Sequence, residues 1–277
     1  MISIILILLF VFSVLSVPVC HGVISGLYLY GMKIFPGLFI SFILTNILVR
    51  ILQQKNINNP WILVITGLMT GFPNGAYICS WYNKNNPENR LGDMLAGIIN
   101  IPSPAFLISY VYINILEKCI SLPMFLALTY TPVILCSYMA ILFFRDKDNK
   151  KDNAPHIKTG KKLIFHFFEE AVDSSINTAL TLGAYVIIFS VIVNIIMHFS
   201  QSNTAGLLIS YLFEISNGLA IIKNAGIPMN ITVLLTVLLD AFGGVCIIMQ
   251  TKSICSSYIS IKKYIYQKLV PVSYTHL

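Results

Sequence analysis

At 277 residues, 56% hydrophobic and only 10% charged, the chain lies far from a soluble domain, which carries about 25% charged residues. The composition is that of a polytopic membrane protein. A net charge of +7 excludes little by itself, but the basic residues fall in loops between apolar segments. There they act as topology determinants, not as a nucleic-acid surface. Six scattered cysteines (Cys20, Cys79, Cys119, Cys136, Cys246, Cys255), without CxxC or Cys-His spacing, read as small apolar fillers.

In chain order, Ile2 to Val19 is apolar without a basic n-region or small residues before a cleavage site, so it reads as an uncleaved first transmembrane helix. A second span is expected over Leu27 to Leu48, with Pro36-Gly37 in its middle. Trp61 to Trp81 is apolar but interrupted by Gly71-Phe72-Pro73-Asn74-Gly75-Ala76. In a helix interior Gly costs about 1 kcal/mol and Pro about 3. In lipid the freed backbone groups need protein or a wet cavity. Met94 to Leu116 holds Asn100-Ile101-Pro102-Ser103-Pro104, and Leu122 to Phe144 is a further span. Arg145 to Lys162 is a polar, basic linker. Beyond it, Leu163 to Asp173 is expected as an amphipathic surface helix. Apolar segments follow at Ile176 to His198, Ala205 to Ile222 and Met229 to Gln250, then a tail, Ile261 to Lys268, with Lys262, Lys263 and Lys268.

The linker divides the chain into halves: 1–144, with the first helix and a first repeat, and 163–271, with a second repeat and the basic tail. Gly71 to Asn100 spans 29 positions and so does Glu214 to Gly243. In each half a long helix is followed by two interrupted segments. The second pair of breaks falls at Glu214-Ile215-Ser216-Asn217-Gly218 and Phe242-Gly243-Gly244-Val245. If every apolar segment crossed, Arg50 and Lys55 would lie on the side opposite the basic linker. Two re-entrant hairpins, turning at Gly71-Phe72-Pro73 and near Glu214 to Gly218, remove the conflict. Lys33, Lys118 and Lys223 are then the only basic residues not cytoplasmic. Because the hairpins enter from opposite sides, the expected fold is an all-α inverted repeat with broken helices.

Six stretches then resemble one family, the sporulation integral membrane proteins of the YlbJ/SpoVV type, which carry the gate or nucleoside-recognition domain. Gly31 to Leu38, with Phe35-Pro36, resembles its "FPALLP" helix. Gly71 to Ala76 resembles "GYPxGAK", with Tyr77 where the family has Lys. Asn100 to Pro104 resembles "NTSNP", and Leu182 to Val191 resembles "IGGFIILFSV". Phe213 to Gly218 resembles "FEITxG". Phe242 to Val245 with Gln250 resembles "GGLSVHxQ", with Ile248 in place of His. The resemblance covers Gly26 to Leu269. It implies an architecture like that of concentrative nucleoside transporters, and movement of dipicolinate, a small aromatic dicarboxylate, across the membrane surrounding the developing spore. Nucleosides or other small solutes are the alternative cargo. A non-transporting structural protein needed for the spore cortex is the alternative role.

The candidate substrate site comprises Gly71, Pro73, Asn74, Gly75, Asn100, Ser103, Ser216, Asn217, Gly243, Gly244 and Gln250. Half-helix N-termini at the breaks present unpaired N–H groups that hold carboxylates without a full cation. In the opposing reading these side chains only satisfy the hairpins' own backbone. Glu214, costly at mid-membrane, is either a coupling-ion or proton site or the cap of a half-helix. Asp240 is the second ion-coupling candidate, and Lys33 is placed to snorkel to an interface. No GxSxG or HExxH constellation is present, so neither an enzyme nor a cofactor is expected. The expected partners are the bilayer of a bacterial cytoplasmic membrane, a small anionic solute and a coupling cation or proton. Nucleic acid is not among them, and a homo-oligomer is left open. Residues 272–277 are expected to contribute nothing, since Ser273-Tyr274-Thr275-His276-Leu277 resembles adaptor read-through.

The topology predicts that single cysteines at Asn149 and Asn86, in a cysteine-free background, label only from the cytoplasmic side. External labelling at Asn86 sinks the first re-entrant hairpin.

Overall fold

The structure, a computed structural model, describes residues 2–55, 59–86, 90–144, 161–200, 204–255 and 258–274. Every element among them is helical. The linker lies outside the described residues except for Lys161 and Lys162. Among the described residues, four helical runs are long and apolar enough to cross a bilayer: Leu91–Ile115, Leu122–Phe143, Phe168–Ser200 and Met229–Cys255. A fifth is possible if Ser16–Ile34 and Leu38–Leu52, bent by 61°, count as one. The protein is therefore a multi-pass, all-α membrane protein.

The first segments differ from the sequence reading. Helix α1 (Ile2–Val14) stops at Leu15, and α2 (Ser16–Tyr28) runs on through a π-helical turn, Leu29–Ile34, into α3 (Phe35–Lys55). The chain thus breaks at Leu15 and bends near Pro36-Gly37, instead of forming spans over Ile2–Val19 and Leu27–Leu48. Helix α9 (Lys161–Ser200) is also one continuous helix of 40 residues, about 60 Å long. The surface helix and the following span expected as separate elements are one.

What holds α2 and α3 to α9 is close antiparallel packing. Gly22 and Gly26, a small-xxx-small pair, face Val191 and Ile187 so tightly that a Cβ on Gly26 would sit 2.8 Å from the Ile187 Cα. Further along, the Tyr30 hydroxyl donates to Ala179 O at 2.5 Å and the Asn46 amide to Ser175 Oγ at 3.0 Å. Arg50 pairs with Glu170 at the end of the seam.

The rest of the chain repeats one order of elements. In the first half, α4 (Pro60–Thr70) and α5 (Asn74–Asn85) precede α6 (Leu91–Ile99). The break at Asn100 to Ser103 follows, and α7 opens at Pro104–Phe106 and continues π-helical over Leu107–Ile115. Helix α8 (Leu122–Phe144) closes the half. In the second, α10 (Thr204–Phe213) and α11 (Ile215–Asn224) precede α12 (Met229–Phe242), the break at Gly243, α13 (Gly244–Cys255) and α14 (Ile261–Tyr274). Helices α4 and α10 have 11 and 10 residues, about 15 Å each, half the hydrocarbon thickness. Each folds back on its partner, α4 on α5 and α10 on α11, whereas α6 with α7 and α12 with α13 run on and barely touch. The running-on broken helices are the most enclosed: 72% and 56% of their apolar stretches are buried, against 39% for the unbroken spans Leu122–Phe143 and Phe168–Ser200. The breaks therefore sit in protein, not against lipid.

Besides Arg50–Glu170, ion pairs among the described residues gather charges at two further places. Asp93 pairs with Arg90 at 2.8 Å and Lys263 at 3.5 Å. Lys223 bonds Asn114 O at 2.6 Å and Glu117 at 2.7 Å. That contact holds the exposed Glu117 carboxyl below its ordinary value, by hydrogen bond and then by charge.

Overpacking a close helix contact costs about 1–3 kcal/mol. Gly26→Leu should lower the thermal midpoint of the purified protein by that measure. Gly31→Leu, where a Cβ meets nothing within 4 Å, should leave it unchanged.

Candidate functional site

All four helix breaks converge. Gly71, at φ +73°, ends α4 in a conformation that favours glycine, and a Cβ there would lie 2.7 Å from Ser103 Cβ. The first hairpin's tip therefore rests on the second break. Pro73, joined to Phe72 by a cis peptide, precedes α5. Gly75 packs against the Asn100 backbone, and Gly243, at φ +83°, faces the Phe72 ring. Gly244 abuts the carbonyls of Leu212 and Phe213 just before Glu214. The glycines allow four backbone turns to touch.

Between the breaks lies a cavity of about 30 Å³. Phe72, Ser103, Glu214, Ser216 and Gln250 contribute from the broken elements, and Tyr30, Leu182 and Val186 close it from α2–α3 and α9. Four of the residues singled out in the sequence thus reach one space: Ser103, Glu214, Ser216 and Gln250. Ser103 also accepts the Phe106 N–H at 3.3 Å, opening α7. Glu214 is 2% exposed and caps α11, its Oε2 accepting the Asn217 N–H at 2.6 Å. Both readings of Glu214 left open by the sequence, cap and cavity carboxylate, are compatible with this position.

Asn100 and Asn217 turn elsewhere. The Asn217 amide donates to Ser190 Oγ on α9 at 3.0 Å. The fully buried Asn100 accepts the Ala76 N–H at 3.2 Å, and its amide donates to Tyr264 Oη at 2.8 Å and Thr251 Oγ1 at 3.2 Å. It ties the first hairpin to α13 and α14. Asn74 is buried, and its amide nitrogen has no partner among the described residues. Asp240 is fully buried away from the cavity lining. Neither of its oxygens has a hydrogen-bond partner among the described residues, and Tyr130 and Tyr211 lie within range of its charge.

The sequence reading gives one central residue no part in the site. Lys268, counted there among the cytoplasmic basic residues of the tail, is fully buried. It donates to Asn100 O and to Ala241 O. The reason is the polarity of α14: Tyr264, Gln267 and Lys268 face inward, while Ile265, Tyr266 and Leu269 are exposed. Their i, i+3, i+4 spacing places the polar groups on one helix face, a signal readable in the sequence beside the lysine count.

Compared with known family models, with curated proteins and with solved structures, the chain gives no match.

Asn100→Ala strands the Ala76 N–H without its partner and leaves the Tyr264 hydroxyl only its contact with Thr251 Oγ1. Leaving a buried donor unsatisfied costs about 1–3 kcal/mol. The variant should therefore lose more thermal stability than Asn217→Ala, whose amide makes one bond at a half-buried position. Equal losses would show that Asn100 is not the tie described.

Proposed function

We propose that this protein is a membrane transporter of a small anionic solute, with its site where the helix breaks meet. The observation that carries the reading is a cavity at four interrupted helices in a multi-pass membrane protein, lined by a buried carboxylate and neutral polar groups. Irregular backbone at membrane depth is tolerated where it is buried in protein or lines a cavity, and broken helices in corresponding positions of two halves are a transporter's usual binding site. We further read the two halves as an inverted repeat with re-entrant hairpins. Trp61 stacks on Tyr138 near the end of α8, and Asn83 donates to Tyr258 O at 2.9 Å. These contacts support entry and return of the first hairpin on the linker side. Lys223, at the end of the second, bonds the turn after α7 instead.

The resemblance to the gate-domain sporulation proteins extends the proposal to dipicolinate and the membrane around the developing spore, with nucleosides as the alternative cargo. A cavity of about 30 Å³ admits one or two waters, so an aromatic dicarboxylate requires the hairpins to part. We read this arrangement as the closed form of an alternating-access cycle. The N-terminus of α11 holds one carboxylate at a time. At present that is Glu214, and a solute carboxylate takes the same N–H group only when Glu214 releases it on protonation. This couples anion entry to a proton. The proposal includes no catalytic step. The competing reading, a structural protein whose breaks serve packing alone, is favoured at Asn100, whose side-chain oxygen and nitrogen are both bonded within the protein.

Uptake into proteoliposomes tests both readings. Glu214→Gln keeps an oxygen for the Asn217 N–H and removes the charge. Expression and folding should survive. Dipicolinate uptake should fall roughly tenfold or more, the rate equivalent of one charge-assisted hydrogen bond, and lose its dependence on a pH gradient. Gradient-dependent uptake by well-expressed Glu214→Gln rules out the coupling role. Absence of uptake by the wild type across dicarboxylates and nucleosides favours the structural reading.

A further inference from the structure

Lys268 reaches from α14 to the point where the carbonyl ends of two broken helices converge. Its Nζ donates to Asn100 O, at the end of α6, and to Ala241 O at 3.2 Å, in the last turn of α12. These helices belong to different halves of the chain. The last carbonyls of each lack intrahelical partners, and each C-terminus carries a partial negative charge of about half a unit. The remaining neighbours are also electron-rich. The Nζ lies 5.5 Å from the centroid of the Phe72 ring and 5.7 Å from that of Tyr264, within cation–π range. Among the described residues no carboxylate pairs with it. The charge next along the chain, Asp240, precedes Ala241 and has no hydrogen-bond partner of its own.

Two backbone carbonyls from opposed helix ends and two ring faces form a shell for a cation. Unwound carbonyls and half-helix C-termini are what hold alkali cations in membrane transporters. Here the shell is filled by a side chain. We propose that the Lys268 ammonium is a tethered substitute for a bound alkali cation, and that shortening it opens this locus to sodium or potassium. The locus serves the fold by joining the two C-termini whatever solute is carried, so the inference does not rest on the transport reading. It also has a consequence for that reading: a free coupling cation does not share the place, and coupling is left to Glu214 and Asp240.

The test is the thermal midpoint of the purified full-length chain in detergent, with sodium or potassium chloride exchanged for N-methylglucamine chloride at constant ionic strength. The wild type should not respond. Lys268→Ala should start lower, and its midpoint should climb with alkali-cation concentration, as a ligand bound only by the folded state requires. Lys268→Met, which fills most of the same space without the charge, should stay unresponsive. A wild-type response equal to that of Lys268→Ala overturns the proposal, and so does a folded Lys268→Ala that ignores both cations. Failure to recover Lys268→Ala folded even at high sodium or potassium overturns it as well, since the added ion is held to restore the missing charge. Each of these outcomes is read without transport, so solute uptake stands or falls separately.

Discussion

A helix that ends inside a bilayer must find partners for its last carbonyls and for the first amides of the next helix, because lipid supplies none. At the four breaks that converge at the centre, the protein itself supplies such partners. Asn100 does most of it. Its side chain takes an amide of α5 and gives hydrogen bonds to α13 and α14, while its own carbonyl receives Lys268. Ser103 and Glu214 supply side-chain oxygens to the amides that open α7 and α11. The close turns these bonds need are possible because Gly71, Gly243 and Gly244 hold positive φ where a side chain would strain.

The enclosing helices follow from that centre. Breaks are stable only behind a wall, and α2–α3 and α9 provide one across the cavity from the hairpins. The glycine pair of α2 lets backbones approach, and Tyr30 both closes the cavity and bonds α9. Helix α8 and the outer face of α9 present Leu128, Leu135, Phe143, Leu180 and Ile188 outward, as suits a lipid-facing surface. The long continuous helices α8 and α9 are thus less buried than the running-on broken ones.

Much of this was legible in the residues. Gly-Pro and Gly-Gly clusters inside apolar segments marked the breaks at Gly71 to Pro73 and at Gly243, and the polar residue in an apolar run marked Glu214. The limits of α8 were read correctly because Pro and polar residues flank an uninterrupted apolar run. The α1–α2 boundary was not legible, since Leu15 gives no turn signal and neither Pro18 nor Pro36-Gly37 stops its helix. Asn100 was singled out as a site residue, but its turn away from the cavity depends on Thr251 and Tyr264, more than 150 positions along the chain. Lys268 was lost to the charge count: the positive-inside rule treats a lysine as a marker of side, and it is silent about one drawn inward by two helix ends.

The buried charges constrain what the centre can recognise. Glu214, Asp240 and Lys268 are all enclosed. The Lys268 ammonium is already bonded to two carbonyls, and it is absent from the cavity lining. An anion arriving in the cavity would therefore meet the Glu214 carboxylate, the hydroxyl-bearing Tyr30, Ser103 and Ser216 and the Gln250 amide, with no cation among the lining residues to neutralise it. Helix N-termini compensate part of the charge, but the one at α11 is occupied by Glu214. Bringing a second carboxylate there without neutralising the first sets two like charges against each other in a medium of low dielectric, where the repulsion is several-fold stronger than in water. If the proposed anionic cargo enters here, it has to do so with a proton on Glu214, or with a cation beside it. On the proposed reading, recognition of charge and coupling to an ion are one event at this site.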